Sequence, residues 1–191
     1  SKIMAAKFNK PGYDIIDHRV FAIVSDGDLM EGISHEAASL AGHLGLGNII
    51  YIYDDNHISI EGDTELAYTD DVEQRFESYG WQVQRINGHD RQAADESIAA
   101  AIEEDRRPSL IIARTHIGYG APHKQDTKEA HGEPLGPEEV AAMKNNLGWP
   151  LEPTFYVPEE VYGLFARRRK VLEEQFHEWE EMFGRYSAEY P

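Results

Sequence analysis

A βαβ pattern over residues 20–62 constrains this chain more than any other feature. The run Val20–Val24 has the length and β-branched content of a strand, and it stops at Ser25-Asp26-Gly27-Asp28. Ile49–Tyr53 repeats the pattern and stops at Asp54-Asp55-Asn56. A helical stretch lies between, so the two strands are expected to be parallel and joined by a right-handed crossover. Both acidic turns then lie at the same end of neighbouring strands, which is where open α/β sheets bind ligands. Asp26 and Asn56, distant in sequence, are expected to be close in space.

The rest of the chain continues the alternation. Residues 1–10 read as the end of a helix stopped by Pro11-Gly12, so the segment is expected to begin inside a larger protein. Glu61–Tyr68 reads as loop. Asp70 is expected to cap a helix, with Glu73 as the acid of a capping box and Gly80 as its end. Trp81–Ile86 alternates as a third strand, Asn87–Asp90 is turn chemistry, and Arg91–Asp105 is an alanine-rich helix. Pro108 ends that helix, and Ser109–Thr115 reads as a fourth, buried strand. His116–Gly136 carries three histidines and four glycines and is too long for an ordinary connector. Pro137–Leu147 reads as a short helix with proline in its first turn. After Pro158, Val161, Phe165, Leu172, Phe176, Trp179, Phe183 and Tyr186 fall at helical spacing, which predicts a long terminal helix with one apolar face. The expected fold class is therefore α/β: an open, mostly parallel sheet flanked by helices, truncated at its N-terminus and followed by a long C-terminal helix.

Bulk properties exclude several classes of function. A length of 191 residues suffices for an ordinary domain with a real core. The net charge of −17 argues against nucleic-acid binding through a basic face. An anionic ligand would need help from a metal ion, backbone N–H groups or a helix N-terminus. The absence of cysteine rules out disulfides, thiolate catalysis and cysteine zinc sites, and suits a reducing cytoplasm. No apolar run approaches a membrane span of about 20 residues, and no partner membrane is expected.

Asp26 with Asn56 is the strongest chemical pair. Mg²⁺ takes hard oxygen donors and is usually held by one or two protein ligands together with substrate phosphates. A carboxylate, an amide oxygen and a carbonyl from the second turn would suit it. Gly27 lets a phosphate approach the backbone, and the helix behind it could offer N–H groups. The same turns also serve the plainer purpose of ending strands and capping helices. Strand-Asp26-Gly27-Asp28 has, in addition, the DxD layout of Mg-dependent phosphatases that form an aspartyl phosphate, in which Asp54-Asp55 after the second strand would supply the metal acids. Against that reading, Leu29 and Met30 stand where such enzymes have glycine and a hydroxyl residue. His35-Glu36 opens like a zinc-protease motif, but Ser39 occupies the second histidine position. Glu31 and Glu36 read most simply as macrodipole compensation near a helix start. His116, His123 and His131 on a glycine-rich loop could donate hydrogen bonds or carry protons beside a phosphate.

At these residues the chain closely resembles the transketolase family, specifically its thiamine-diphosphate-binding N-terminal domain. Ser25-Asp26-Gly27 through Asp55-Asn56 matches the GDG…NN motif of thiamine-diphosphate enzymes. MEGISHEAASLAG, YDDNHISIEG, IGYGAPHK and HGEPLG resemble transketolase within that superfamily. Ser25 replaces the first glycine of GDG, a small residue preceding the ligand that should be tolerated.

The resemblance implies that Asp26, Asn56 and the main-chain carbonyl of Ile58 hold Mg²⁺ on the diphosphate, with Ca²⁺ or Mn²⁺ able to substitute. It implies that Gly27 and Asn56 touch the cofactor and that Ile117 lines its pocket. His131 would lie between thiamine diphosphate and the sugar substrate as a catalytic histidine. Glu31 and Glu36 would belong to a dimer interface and proton relay. The parent activity implied is transfer of a two-carbon ketol unit from a ketose phosphate such as xylulose 5-phosphate to an aldose phosphate such as ribose 5-phosphate or erythrose 4-phosphate. Residues 1–150 would form a partial diphosphate-binding domain, and 151–191 a helical extension towards a pyrimidine-binding domain that the activity requires. The partners implied are sugar phosphates and, in the parent enzyme, a second copy of the chain. These residues alone are expected to be inactive. Three alternatives stay open at this point: dihydroxyacetone synthase or another thiamine-diphosphate enzyme, a non-catalytic folding and dimerisation module, and the aspartyl phosphatase.

Overall fold

Four of the apolar runs pair as strands in the computed structural model, which describes residues Ser1–Pro191. These are β1 (Val20–Ser25), β2 (Ile49–Asp55), β5 (Gln82–Asn87) and β6 (Ser109–Arg114). They form one parallel sheet in the order β1-β2-β6-β5. The register sets Ser25 opposite Asp54, so both acidic segments leave the sheet at the same end. Ser109–Ala113 of β6 is buried throughout, as expected of a central strand covered on both faces.

Alternation along the strands sorts the core. Tyr53, Leu110 and Ile112 face α2 (Asp26–Met30), α3 (Gly32–His43) and α4 (Val72–Ser78), with Phe76 and Trp81 completing that cluster. Trp81 is anchored by an indole N–H donated to the Ala38 carbonyl at 2.8 Å and by an edge-on contact with Phe76, centroids 5.0 Å apart. Ile50 and Ile111 face the other way, onto Ala101 of α5 (Arg91–Glu103). On the edge strand β1, Phe21 and Ile23 are left exposed.

Local structure departs from the sequence-based expectations at four places. The segment between β1 and β2 is two helices, not one: a Ser25–Asp28 capping box starts α2 at the very end of β1, and extended backbone at Glu31 separates it from α3. Asp26 and Gly27 therefore lie in a first helical turn and not in a loop. Asp71, not Asp70, caps α4: its carboxylate accepts from the Gln74 amide at 3.0 Å and the Gln74 side chain at 2.8 Å, while Asp70 turns to Arg75. The stretch expected as loop over 61–68 holds β4 (Gly62–Asp63), which pairs with β3 (Ile58–Ser59), and a 3₁₀ turn at Thr64–Leu66. The long loop after β6 contains α6 (Lys128–Gly132) before α7 (Pro137–Asn146).

Arg19–Leu151 forms one compact unit; Ser1–His18 and Glu152–Pro191 form another. The second unit comprises α1 (Lys2–Phe8) and the long α8 (Glu159–Glu189). Within it the Trp179 indole donates to the Ile15 carbonyl at 3.0 Å, and the Tyr13 hydroxyl donates to Glu189 at 2.8 Å. Much of the apolar stripe of α8 is open, Phe165 and Phe176 included. No helix of the chain is long and apolar enough to cross a membrane.

Candidate functional site

Asp26 opens α2 and is 3% exposed. The Tyr53 hydroxyl, reaching over from β2, donates to its Oδ1 in a short hydrogen bond, while Oδ2 is buried without a partner. Burial holds the Asp26 carboxyl above the usual carboxylate range; the Tyr53 hydrogen bond opposes that shift, and neighbouring Asp55 adds to it. Burial and the adjacent carboxylate push the Tyr53 hydroxyl up, so it remains a proton donor.

One strand over, the second acidic segment is held just as firmly. Asn56 is buried; its Oδ1 accepts from the Ile58 amide at 2.9 Å, and its Nδ2 donates to Asp54 Oδ2 at 3.2 Å. The other oxygen of Asp54 accepts from the Thr115 hydroxyl at the end of β6. A carboxylate only accepts, so Asp54 dictates which end of the Asn56 amide is nitrogen. Between Asn56 and Ile58, His57 adopts left-handed backbone geometry with φ 65°. Its imidazole Nε2 lies 3.2 Å from Asp55 Oδ1, and its carbonyl accepts from the Thr64 amide at 3.0 Å.

Three elements meet around this turn. Both α2 and α6 pack against β3, which brings the helix of Asp26 and Gly27, the strand of Ile58 and the helix of His131 to one place. Ile117 follows β6 by three residues, and its carbonyl, accepting from the Asp126 amide at 3.0 Å, closes the glycine-rich loop. His131 is exposed. Glu31 sits at the break between α2 and α3, and Glu36 one turn further on; both are exposed and neither is drawn towards Asn56. His116 pairs with Asp126 at 2.8 Å within the loop, and His123 pairs with Glu139 of α7 at 2.9 Å, tying the loop to that helix. Tyr53 and Thr115 were not singled out from sequence, and Asp54 was read as an acid of the second turn and not as the partner that orients Asn56. The available signal was the two-residue period of a strand, which places Tyr53 on the same face as the helix that follows β1.

The donor chemistry fits a magnesium–diphosphate group. Asp26 offers one oxygen without a partner, and Asn56 a fixed amide oxygen. A Cβ added at Gly27 would meet nothing nearer than Ser25 Oγ at 3.9 Å, so the backbone there is open to close approach. No cluster of three His, Asp or Glu positioned for a metal occurs in the chain. An ion that shares its ligands with a phosphate, as Mg²⁺ does, needs none. The helix behind Gly27 contributes less than expected, since α2 is only five residues long. A cleft of about 370 Å³ also opens beside Asp26, lined by Tyr53, Asp55, His57 and Arg85 but not by Asn56 or Ile58.

The chain matches the family model described as "Transketolase, thiamine diphosphate binding domain" over residues 1–191. It is 49% identical to transketolase of Aquifex aeolicus over 195 residues, covering 100% of this chain and 27% of that protein. It is 49% identical to transketolase 2 of Escherichia coli over 191 residues, covering 100% of this chain and 28% of that protein. Among solved structures, transketolase from Leishmania mexicana superposes with a TM-score of 0.92 at 37% identity, covering 98% of this chain and 28% of that one. A Pichia stipitis transketolase in complex with sedoheptulose-7-phosphate superposes at 0.91 with 39% identity, again over 98% of this chain and 28% of that one. The chain thus spans just over a quarter of the length of these relatives. With a parallel sheet carrying Asp26 and Asn56 at the ends of adjacent strands, and a family match along its whole length, this chain belongs to the transketolase thiamine-diphosphate-binding domain family.

Proposed function

We propose that this chain carries the diphosphate–magnesium half of a transketolase active site. The observation that carries the reading is Asp26 Oδ2, buried without a partner beside the Asn56 turn. In this reading Asp26 Oδ2, Asn56 Oδ1 and the Ile58 carbonyl hold Mg²⁺. Gly27 lets the diphosphate reach the main chain, and Ile117 contributes apolar wall. His131 faces the sugar substrate, where an imidazole can donate to or accept from a hydroxyl. Thiamine diphosphate, when bound, supplies the electron sink for cleaving and forming the ketose C–C bond. The chain's own residues bind, orient and neutralise the diphosphate end.

The proposed whole-protein activity is transfer of a two-carbon ketol unit between sugar phosphates. The sedoheptulose-7-phosphate complex of the Pichia stipitis relative supports that substrate class. A homodimer in which exposed Glu31 and Glu36 face the partner, and a cytoplasmic location suited to a chain without cysteine, complete the proposal. Residues 1–150 serve as the diphosphate-binding portion and 151–191 as the extension towards the pyrimidine-binding portion. Calorimetry of thiamine diphosphate with the 191-residue chain, with and without Mg²⁺ and with Asp26→Ala, tests the site. Binding should need both the metal and Asp26; binding indifferent to either refutes it. Assayed alone, these residues should show no ketol transfer.

A further inference from the structure

Helix α8 carries an apolar stripe that the chain engages at one end only. Trp179 and Tyr186, towards its C-terminus, contact Ile15 and Tyr13. Phe165 and Phe176, nearer the middle, are 68% and 54% exposed, and Leu172 between them is open as well. We propose that this open stretch is an interface between copies of the chain, in which two α8 helices pair antiparallel about a two-fold axis at Leu172. The pairing does not depend on the cofactor-site reading, and it is separate from the face of Glu31 and Glu36, which lies between β1 and β2.

Charge along α8 selects both the occupant and the direction. The chain has a net charge of −17, yet Arg167–Lys170 is an unbroken basic run, and Glu173, Glu174, Glu178, Glu180 and Glu181 follow it on the same helix. A parallel pair would set each basic run beside its own copy. An antiparallel pair sets it against the acidic turns of the partner, so one surface complements itself, as a two-fold contact requires. A polyanion or an acidic membrane would take the basic run but be repelled by the acids that follow it along the same stripe. The helical period puts Arg168 and Glu178 on one flank of the stripe and Arg169 and Glu173 on the other. With the axis at Leu172, Arg168 comes within about 3 Å, along the helix, of the level of the partner's Glu178, and Arg169 stands likewise to the partner's Glu173. Arg169 also reaches its own Glu173 at 3.1 Å, whereas Arg168 and Glu178 take no ion-pair partner within the chain. Phe165, Arg168, Leu172, Phe176 and Trp179 recur at steps of three and four residues, the spacing of a helix–helix seam. In the proposed register Phe165 and the partner's Phe176 come level within one helical turn.

The test combines sedimentation equilibrium with cysteine cross-linking of the 191-residue chain, without cofactor. The unsubstituted chain should show a reversible dimer, of twice 21.7 kDa, at micromolar concentration. Leu172→Glu should weaken it about tenfold or more by placing like charges on the axis. Circular dichroism should stay unchanged, because that side chain is exposed. Arg168→Glu and Glu178→Arg should each weaken the dimer, and the two together should restore it. The chain has no cysteine, so a single introduced thiol reports the contact without background. Under mild oxidation Leu172→Cys should yield a disulfide-linked dimer, since a residue on the axis faces its own copy. Phe165→Cys should not, because the same register holds its two copies about 21 Å apart along the helix. Linking at Phe165→Cys as readily as at Leu172→Cys, charge reversals that do not rescue one another, or a chain monomeric up to millimolar concentration overturns the pairing. A dimer that survives Leu172→Glu and is lost with Glu31→Lys lies on the other face and overturns it too.

Discussion

Asp26→Asn should make the metal-free chain more stable while abolishing its response to cofactor and metal. In wild type a carboxylate is 3% exposed, one oxygen is satisfied by Tyr53, and the other has no partner. A buried polar group without a partner costs about 1–3 kcal/mol, and more when charged. Asparagine removes the charge and keeps an oxygen for Tyr53, but leaves an amide N–H₂ unpaired, so only part of that cost is recovered. A net gain of about 1 kcal/mol raises the melting midpoint by 2–4 °C in a chain of this size. The pH dependence follows from the upward shift of the Asp26 carboxyl. Its folded-state pKa lies above the unfolded value, so folding takes up a proton between the two. The penalty is fully present above the folded pKa and absent below the unfolded one. The advantage of asparagine should therefore be full above the folded-state pKa of Asp26 and shrink as acid neutralises wild-type Asp26. Thermal melts by circular dichroism across that range check both points. With Mg²⁺ and thiamine diphosphate added, the order should reverse, because ligand stabilises only the chain that binds it. An asparagine variant less stable throughout the range, or a difference independent of pH, would refute the reasoning.

Three further outcomes follow from the same geometry. Asp71→Ala should cost about 1 kcal/mol of stability in urea melts by removing the α4 cap, and Asp70→Ala, whose carboxylate is exposed, should cost less than half of that. Gly42→Ala should be severely destabilising, because a Cβ there would sit 1.8 Å from the Tyr79 carbonyl oxygen and force α3 off the turn before β5; a melting point equal to wild type would contradict the packing. His131→Ala should change stability by no more than about 0.5 kcal/mol, since the side chain is exposed. In the proposed function that same change lowers ketol transfer when placed in a full-length transketolase, so a melt and a turnover assay together separate the two roles.

The architecture was legible where hydrophobic period and punctuation agreed. SLIIAR could only be a buried strand, and Ser25-Asp26 and Asp54-Asp55 announced two strand ends whose alignment depends on a single parallel pairing. Capping was legible in kind but not in position. Asp70 with Glu73 and Asp71 with Gln74 fit the same spacing rule, and only the three-dimensional demand of Arg75 on Asp70 decides between them. The break between α2 and α3 was hidden because both helices lie within one amphipathic stretch. Of the candidate site, the residue types were readable and their orientation was not. The hydrogen bonds that orient Asp26 and Asn56 come from Tyr53 and from the Asp54–Thr115 pair, which joins residues 61 positions apart. Such contacts depend on strand order, and strand order is a property of the fold.

The most direct test is diffraction from crystals of this chain grown with thiamine diphosphate and Mn²⁺, located by anomalous scattering. The account predicts a single strong peak ligated by Asp26 Oδ2, Asn56 Oδ1 and the Ile58 carbonyl, with the diphosphate beside Gly27 and Tyr53 still on Asp26 Oδ1. A peak instead in the neighbouring cleft, on Asp55 or Asp70 and away from Asn56, would contradict it.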